Sequence, residues 1–175
     1  MTATTDTAQP TVLAKDEGVA DLWWPYGPSV GRYTIKTTGA GSRRSLVQLL
    51  IRDSRGAATP VHVHHDTDET FYVLSGEIAA LVGDERIDAS AGDYVFGPRG
   101  VPHAWVVKSE TAELLVTTGP AGTEDAAGHG IDGFFREVGF PVDGPKPEPQ
   151  MPDNELFARR MTAYNIELVG PPPAL

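Results

Sequence analysis

The 175-residue chain contains no cysteine, so neither a disulfide framework nor a thiolate metal site is open to it. Basic charge is also scarce: 14 Lys and Arg stand against 24 Asp and Glu, a net charge of −10. Nucleic-acid binding relies on a cationic face that displaces counterions from phosphates, and this composition argues against such a partner. The acidity reads instead as a solvated surface. No apolar run approaches the roughly 20 residues that a membrane-spanning helix needs. The opening MTATTDTAQP has neither the basic nor the apolar region of a secretory signal, so a cytoplasmic protein is expected.

What the chain does have is punctuation. Its 19 glycines and 15 prolines suit many short strands joined by tight turns better than long helices. Alternating or apolar stretches fall at 33–37, 45–53, 61–65, 70–82, 86–89, 94–96, 104–107 and 113–118. They are separated by Gly- and Pro-bearing turns. Eight strands so spaced predict an antiparallel sandwich or barrel. Residues 1–20 are small and polar and read as a flexible arm, 21–140 as the β domain, and 141–175 as a proline-rich connector with a C-terminal helix and tail packed on it. One helical turn is expected over 133–138. A helix is expected over 153–165, with Asp153 as N-cap and Leu156, Phe157, Met161 and Tyr164 on one apolar face. That face would dock on the barrel or on a second copy of the chain.

Two spacings carry the chemistry. Gly56, His62, His64, Glu69 and Gly76 follow G-x5-H-x-H-x4-E-x6-G; Gly92, Pro98, Gly100 and His103 follow G-x5-P-x-G-x2-H. Side chains alternate along a strand, so His62 and His64 share a face and can chelate one ion. Glu69, opening the next strand, would return its carboxylate beside them from the same hairpin. His103 would come from a second hairpin aimed by the rigid 98–102 turn. Three imidazoles and a carboxylate suit one divalent transition metal: Ni, Fe, Mn, Co, Cu or Zn. By parity His65 faces away, and His129, between two glycines, reads as solvated loop.

These two units resemble both signature motifs of the cupin superfamily, and the first matches at every position. In the second, Val107 stands where the family usually has Asn, which is not a metal ligand there. The stretches HVHHDTDETFYVLSGE, GPRGVPHAW and GFFREVG resemble the quercetin 2,3-dioxygenase-like single-domain cupins of bacteria. The resemblance implies a double-stranded β-helix, or jelly-roll barrel, binding one metal through His62, His64, Glu69 and His103. It further implies that Glu69 is catalytic, taking a proton from a flavonol-like aromatic enol whose ring dioxygen then opens with loss of carbon monoxide. From the residues alone Glu69 could equally be a ligand only.

Parity from Glu69 puts Phe71 and Val73 on the metal face, and parity from His103 adds Trp105 and Val107. Tyr33 and Gln48 complete the candidate substrate-binding set. Two other classes stay open: redox-neutral chemistry on a polyketide-like or enolic molecule (cyclisation, isomerisation or decarboxylation), and small-molecule binding without turnover. A homodimer is expected, because small cupins leave sheet edges and apolar faces that association can cover.

Overall fold

The computed structural model describes residues 11–122 and 130–174; His129 lies outside the described residues. In chain order the elements are β1 (Ala20–Trp24), β2 (Gly31–Thr37), β3 (Val47–Ser54), β4 (Val61–His64), β5 (Asp68–Ser75), β6 (Glu77–Val82), β7 (Glu85–Ser90), β8 (Tyr94–Gly97), β9 (His103–Val107) and β10 (Thr111–Gly119). Helix α1 (Ile131–Val138), β11 (Phe140–Pro141), α2 (Asn154–Thr162) and β12 (Ile166–Gly170) follow. Two antiparallel sheets face each other. One runs β11-β1-β2-β3-β10-β5-β8, the other β12-β4-β9-β6-β7. This is a jelly-roll arrangement.

Every strand read from the sequence is present, with refinements that have local causes. The stretch 70–82 is two strands, because Gly76 adopts φ +79 and a Cβ there would lie 2.2 Å from the Thr111 carbonyl oxygen. The chain turns from one sheet to the other at that point. Strands β1 and β12 were not anticipated. The first is five residues at the edge of a polar segment, and the second reads as tail because three prolines follow it. Helix α1 makes two turns rather than one. The Asp153 carboxylate accepts from the Leu156 amide at 3.0 Å, as an N-cap should. Helix α2 stops at Thr162, three residues earlier than the apolar pattern suggested, and Asn165 turns with φ +58.

Alternation puts Leu49, Ile51, Phe71, Val73, Leu114 and Val116 inside, all nearly inaccessible to solvent. Leu22 and Trp24 of β1 join them, and Phe134, Phe157 and Met161 from the helices close the same core. Over 14–17 the chain is tied to the outer face of the larger sheet. Lys36 Nζ donates to the Ala14 and Lys15 carbonyls, and Lys15 pairs with Glu113 at 2.7 Å. Among the described residues no helix is long and apolar enough to cross a membrane.

Candidate metal centre

The first motif starts at a turn and ends at a turn. Gly56, Gly76, Gly92 and Gly100 all have φ between +77 and +97, the left-handed region that glycine reaches without a steric penalty. At Gly100 the turn is also anchored: its amide donates to the His64 carbonyl at 2.7 Å. The neighbouring Arg99 donates its amide and its guanidinium to Asp68, at 2.8 to 3.1 Å. Those bonds from Arg99 draw the Asp68 carboxyl down to about 2. The loop before β9 is thus pinned to both β4 and β5, and His103 is aimed from a fixed base.

His62 and His103 sit opposite each other across β4 and β9, so three imidazoles project from the smaller sheet. Glu69 does not return beside them within one hairpin, as the sequence spacing suggested. The chain crosses at Asp66-Thr67, β5 enters the larger sheet, and the carboxylate arrives from the opposite side. Thr67, fully enclosed at 3 % exposure, bonds His64 Nδ1 at 2.9 Å. The sequence gives it no role beyond that of a turn residue.

The remaining Nδ1 atoms are held in the same manner. His62 Nδ1 donates to the Pro60 carbonyl and His103 Nδ1 to the Val101 carbonyl, both at 2.9 Å. A carbonyl only accepts, so the hydrogen is on Nδ1 and the Nε2 lone pairs are left to converge. Glu69 Oε2 lies 3.0, 3.5 and 3.6 Å from Nε2 of His103, His64 and His62. All four donor atoms lie within 4.8 Å of one another. His64 Nε2 is buried with no hydrogen-bond partner. Bonds of about 2.1 Å to a common ion would put neighbouring donors roughly 3.0–3.5 Å apart, so the residues fit a divalent metal. A proton satisfies one Nε2 at a time, whereas one cation satisfies all four donors.

Burial alone would raise the Glu69 carboxyl, but the three imidazoles that face it outweigh burial and hold it well below its ordinary value. Burial lowers His62; at His103 burial acts in the same sense, but the facing Glu69 carboxylate outweighs it and raises the group.

A cavity of about 530 Å³ opens from His62, His64 and Glu69 toward β1, α1 and α2. Of the residues expected to meet substrate, Trp105 and Tyr33 line it. Phe71 stands behind the cluster, its ring 6.1 Å from that of His103, and Val73 and Val107 are in the packed core. Gln48 is on the other face of β3, where its amide donates to Thr117 Oγ1 at 3.1 Å beside a separate depression. The wall is instead completed by Trp24, Tyr26, Phe134, Phe157, Met161 and Leu168. Parity along β4, β5 and β9 could not find these, because they come from elements whose place is set by long-range packing.

Residues 50–118 match the Cupin domain family. Over 160 residues the chain is 28% identical to the quercetin 2,3-dioxygenase of Bacillus subtilis (strain 168), covering 90% of this chain and 44% of that protein. The chain therefore spans less than half the length of that relative. Among solved structures, a predicted oxalate decarboxylase of Thermotoga maritima is similar with a TM-score of 0.57 at 17% identity, over 63% of this chain and 99% of that one. An RmlC-like cupin from Shewanella frigidimarina NCIMB 400 is similar with a TM-score of 0.51 at 22% identity, over 65% and 95% of the two chains. At such identities these two structures bear on the fold alone.

Proposed function

From the premise that residues 50–118 form a cupin domain, we propose that the chain is a metal-dependent dioxygenase acting on a flavonol-like or related aromatic enol. The observation that carries this reading is the four-donor cluster opening into a cavity walled by aromatic rings. Apolar walls with a few convergent polar groups suit a small aromatic ligand. The similarity to a quercetin dioxygenase supports the same class.

A bound divalent ion would supply Lewis-acid polarisation of a substrate oxygen and a place for dioxygen. The chain does the rest. His62, His64 and His103 hold their Nε2 atoms in position through the Nδ1 bonds to Pro60, Thr67 and Val101. Trp105 and the rings across the cavity orient a flat substrate and exclude water. Glu69 Oε2, at the junction of cluster and cavity, takes the proton of the substrate hydroxyl as general base.

The test is an oxygen-electrode assay with 3-hydroxyflavone, on protein reconstituted with each of Fe, Ni, Mn, Co, Cu and Zn and checked by elemental analysis. Stoichiometric oxygen uptake with carbon monoxide release is expected with at least one of these ions. Substrate turnover without oxygen uptake would instead mean redox-neutral chemistry, and tight binding without turnover a binding module.

The expected homodimer cannot use the apolar face of α2, since Phe157, Met161 and Tyr164 are buried in their own chain. A second copy would cover the outer strip of Tyr72, Leu74, Tyr94 and Phe96 at edge strand β8. Sedimentation at micromolar concentration decides between dimer and monomer.

A further inference from the structure

The cavity runs from a buried end to an exposed one. His62, His64 and Glu69 at the metal cluster are all buried, whereas Pro28, Met151, Asn154 and Pro172 line the same space and are exposed. These four form the mouth, and its backbone is held. The Gln150 amide donates to the Pro25 carbonyl at 2.9 Å, and Gln150 also bridges to Tyr26. The Tyr26 hydroxyl in turn donates to the Val138 carbonyl at 2.8 Å. Pro28, Pro152 and Pro172 each have φ fixed by their own ring, and Pro152 restricts Met151 before it. What can move at this mouth is side chains.

Met151 is the side chain that matters among them. It is 85 % exposed, and of the exposed large apolar side chains among the described residues it alone lines the cavity. Met161, on α2, is buried at 7 % and belongs to the core. An unbranched thioether turns freely about three bonds and makes favourable contacts with aromatic rings. Hung from a fixed backbone at the edge of an apolar space, it can reach inward without any movement of the chain. Most of its apolar surface is in water, so folding over a hydrophobic guest would be favourable.

We propose that Met151 is a ligand-retaining residue, whose side chain folds from solvent onto the outward edge of an aromatic enol seated in the cavity and slows its escape. The contact is made after entry, so it acts on dissociation and leaves association nearly untouched. It works by burial of apolar surface and needs no opening or closing of the connector. This inference rests on the aromatic-enol reading of the site.

The test is stopped-flow binding of 3-hydroxyflavone to the zinc-loaded protein without oxygen, followed by quenching of tryptophan fluorescence. Met151→Ala is expected to speed dissociation roughly fivefold, the order that follows when about half of such a side chain no longer leaves water. Met151→Gln keeps the length and flexibility but is polar, and it is expected to behave like Met151→Ala. Met151→Leu should hold the ligand nearly as long as the wild type. A second readout is the methionine methyl signal in carbon-13 NMR, assigned by its loss in Met151→Leu; it is expected to shift when 3-hydroxyflavone saturates the protein. Wild-type dissociation in Met151→Ala or Met151→Gln, or an unshifted Met151 methyl signal, overturns the retention alone. An equal rise in association and dissociation rates would make Met151 an obstruction and overturn it too. Failure of 3-hydroxyflavone to bind overturns the aromatic-enol reading and the retention with it.

Discussion

The two ends of the cavity are built in opposite ways. At the metal end each imidazole is fixed by a bond to an atom two or three residues away: Pro60 for His62, Thr67 for His64, Val101 for His103. At the aromatic end most of the contacts are long-range. Trp24 touches Tyr26, Tyr33, Phe134, Phe135 and Phe157, side chains up to 133 positions distant, with centroids 4.8 to 6.1 Å apart. Chemistry is thus coded by turns, and the shape of the space beside it by tertiary packing. Damage at the first end should cost activity, and damage at the second should cost stability.

The sharpest break of this division is Glu69→Gln. The substitution keeps size and one ligating oxygen but removes the base. Turnover by metal-loaded protein is expected to fall roughly 10²–10⁴-fold, with thermal unfolding of the metal-loaded variant little changed. Raising the pH, which deprotonates the substrate beforehand, should restore much of the rate. Near wild-type turnover at full metal occupancy would reduce Glu69 to a ligand.

The converse substitution is Phe157→Ala. This ring packs edge-on against Tyr26 and Phe134 at 4.7 and 5.5 Å, and its removal should cost about 3–5 kcal/mol in denaturant unfolding. Metal stoichiometry of the folded fraction should stay at one per chain. Coupled loss of metal and stability would mean that the two ends are not independent.

The smallest expected effect concerns Asp53, through pH. Its carboxyl rises from 3.8 to about 6 on folding, so its contribution to stability is fully present below pH 3.8 and is lost as pH rises through about 6. The displacement corresponds to at most about 3 kcal/mol. Asp53→Asn does not titrate, so it should gain on the wild type between pH 4 and pH 7 and hold a constant margin above. A margin that is flat across that range would show that burial does not perturb Asp53.

The same division explains what the sequence could reveal. The four metal-cluster residues and the four motif glycines were legible because strand parity and positive φ act over a few residues. The partition between sheets was not, since Gly76 and Thr67 mark turns without saying that each turn crosses the sandwich. Phe71 and Val73 point inward as parity indicated, but they are packed in the core and neither lines the cavity. Tyr33 could be suspected and Asp53 could not, because the space beside Gly31 exists only once β2 and β3 are paired. The C-terminal strand was hidden by its prolines, yet it pairs Ile166 with His64 and Leu168 with His62.

The crossing of Glu69 from the larger sheet to meet three histidines on the smaller one has a mechanical consequence. An ion held by all four would be a rivet through the sandwich, joining two layers whose shared interior is otherwise apolar. It would bind the folded chain and not the unfolded one, so the melting temperature should climb with free metal, by about 4 kcal/mol of added stability at a thousand times the dissociation constant. Chelation would then loosen the seam between the sheets before it loosens either sheet, and amide exchange should quicken first where β4 and β5 face each other.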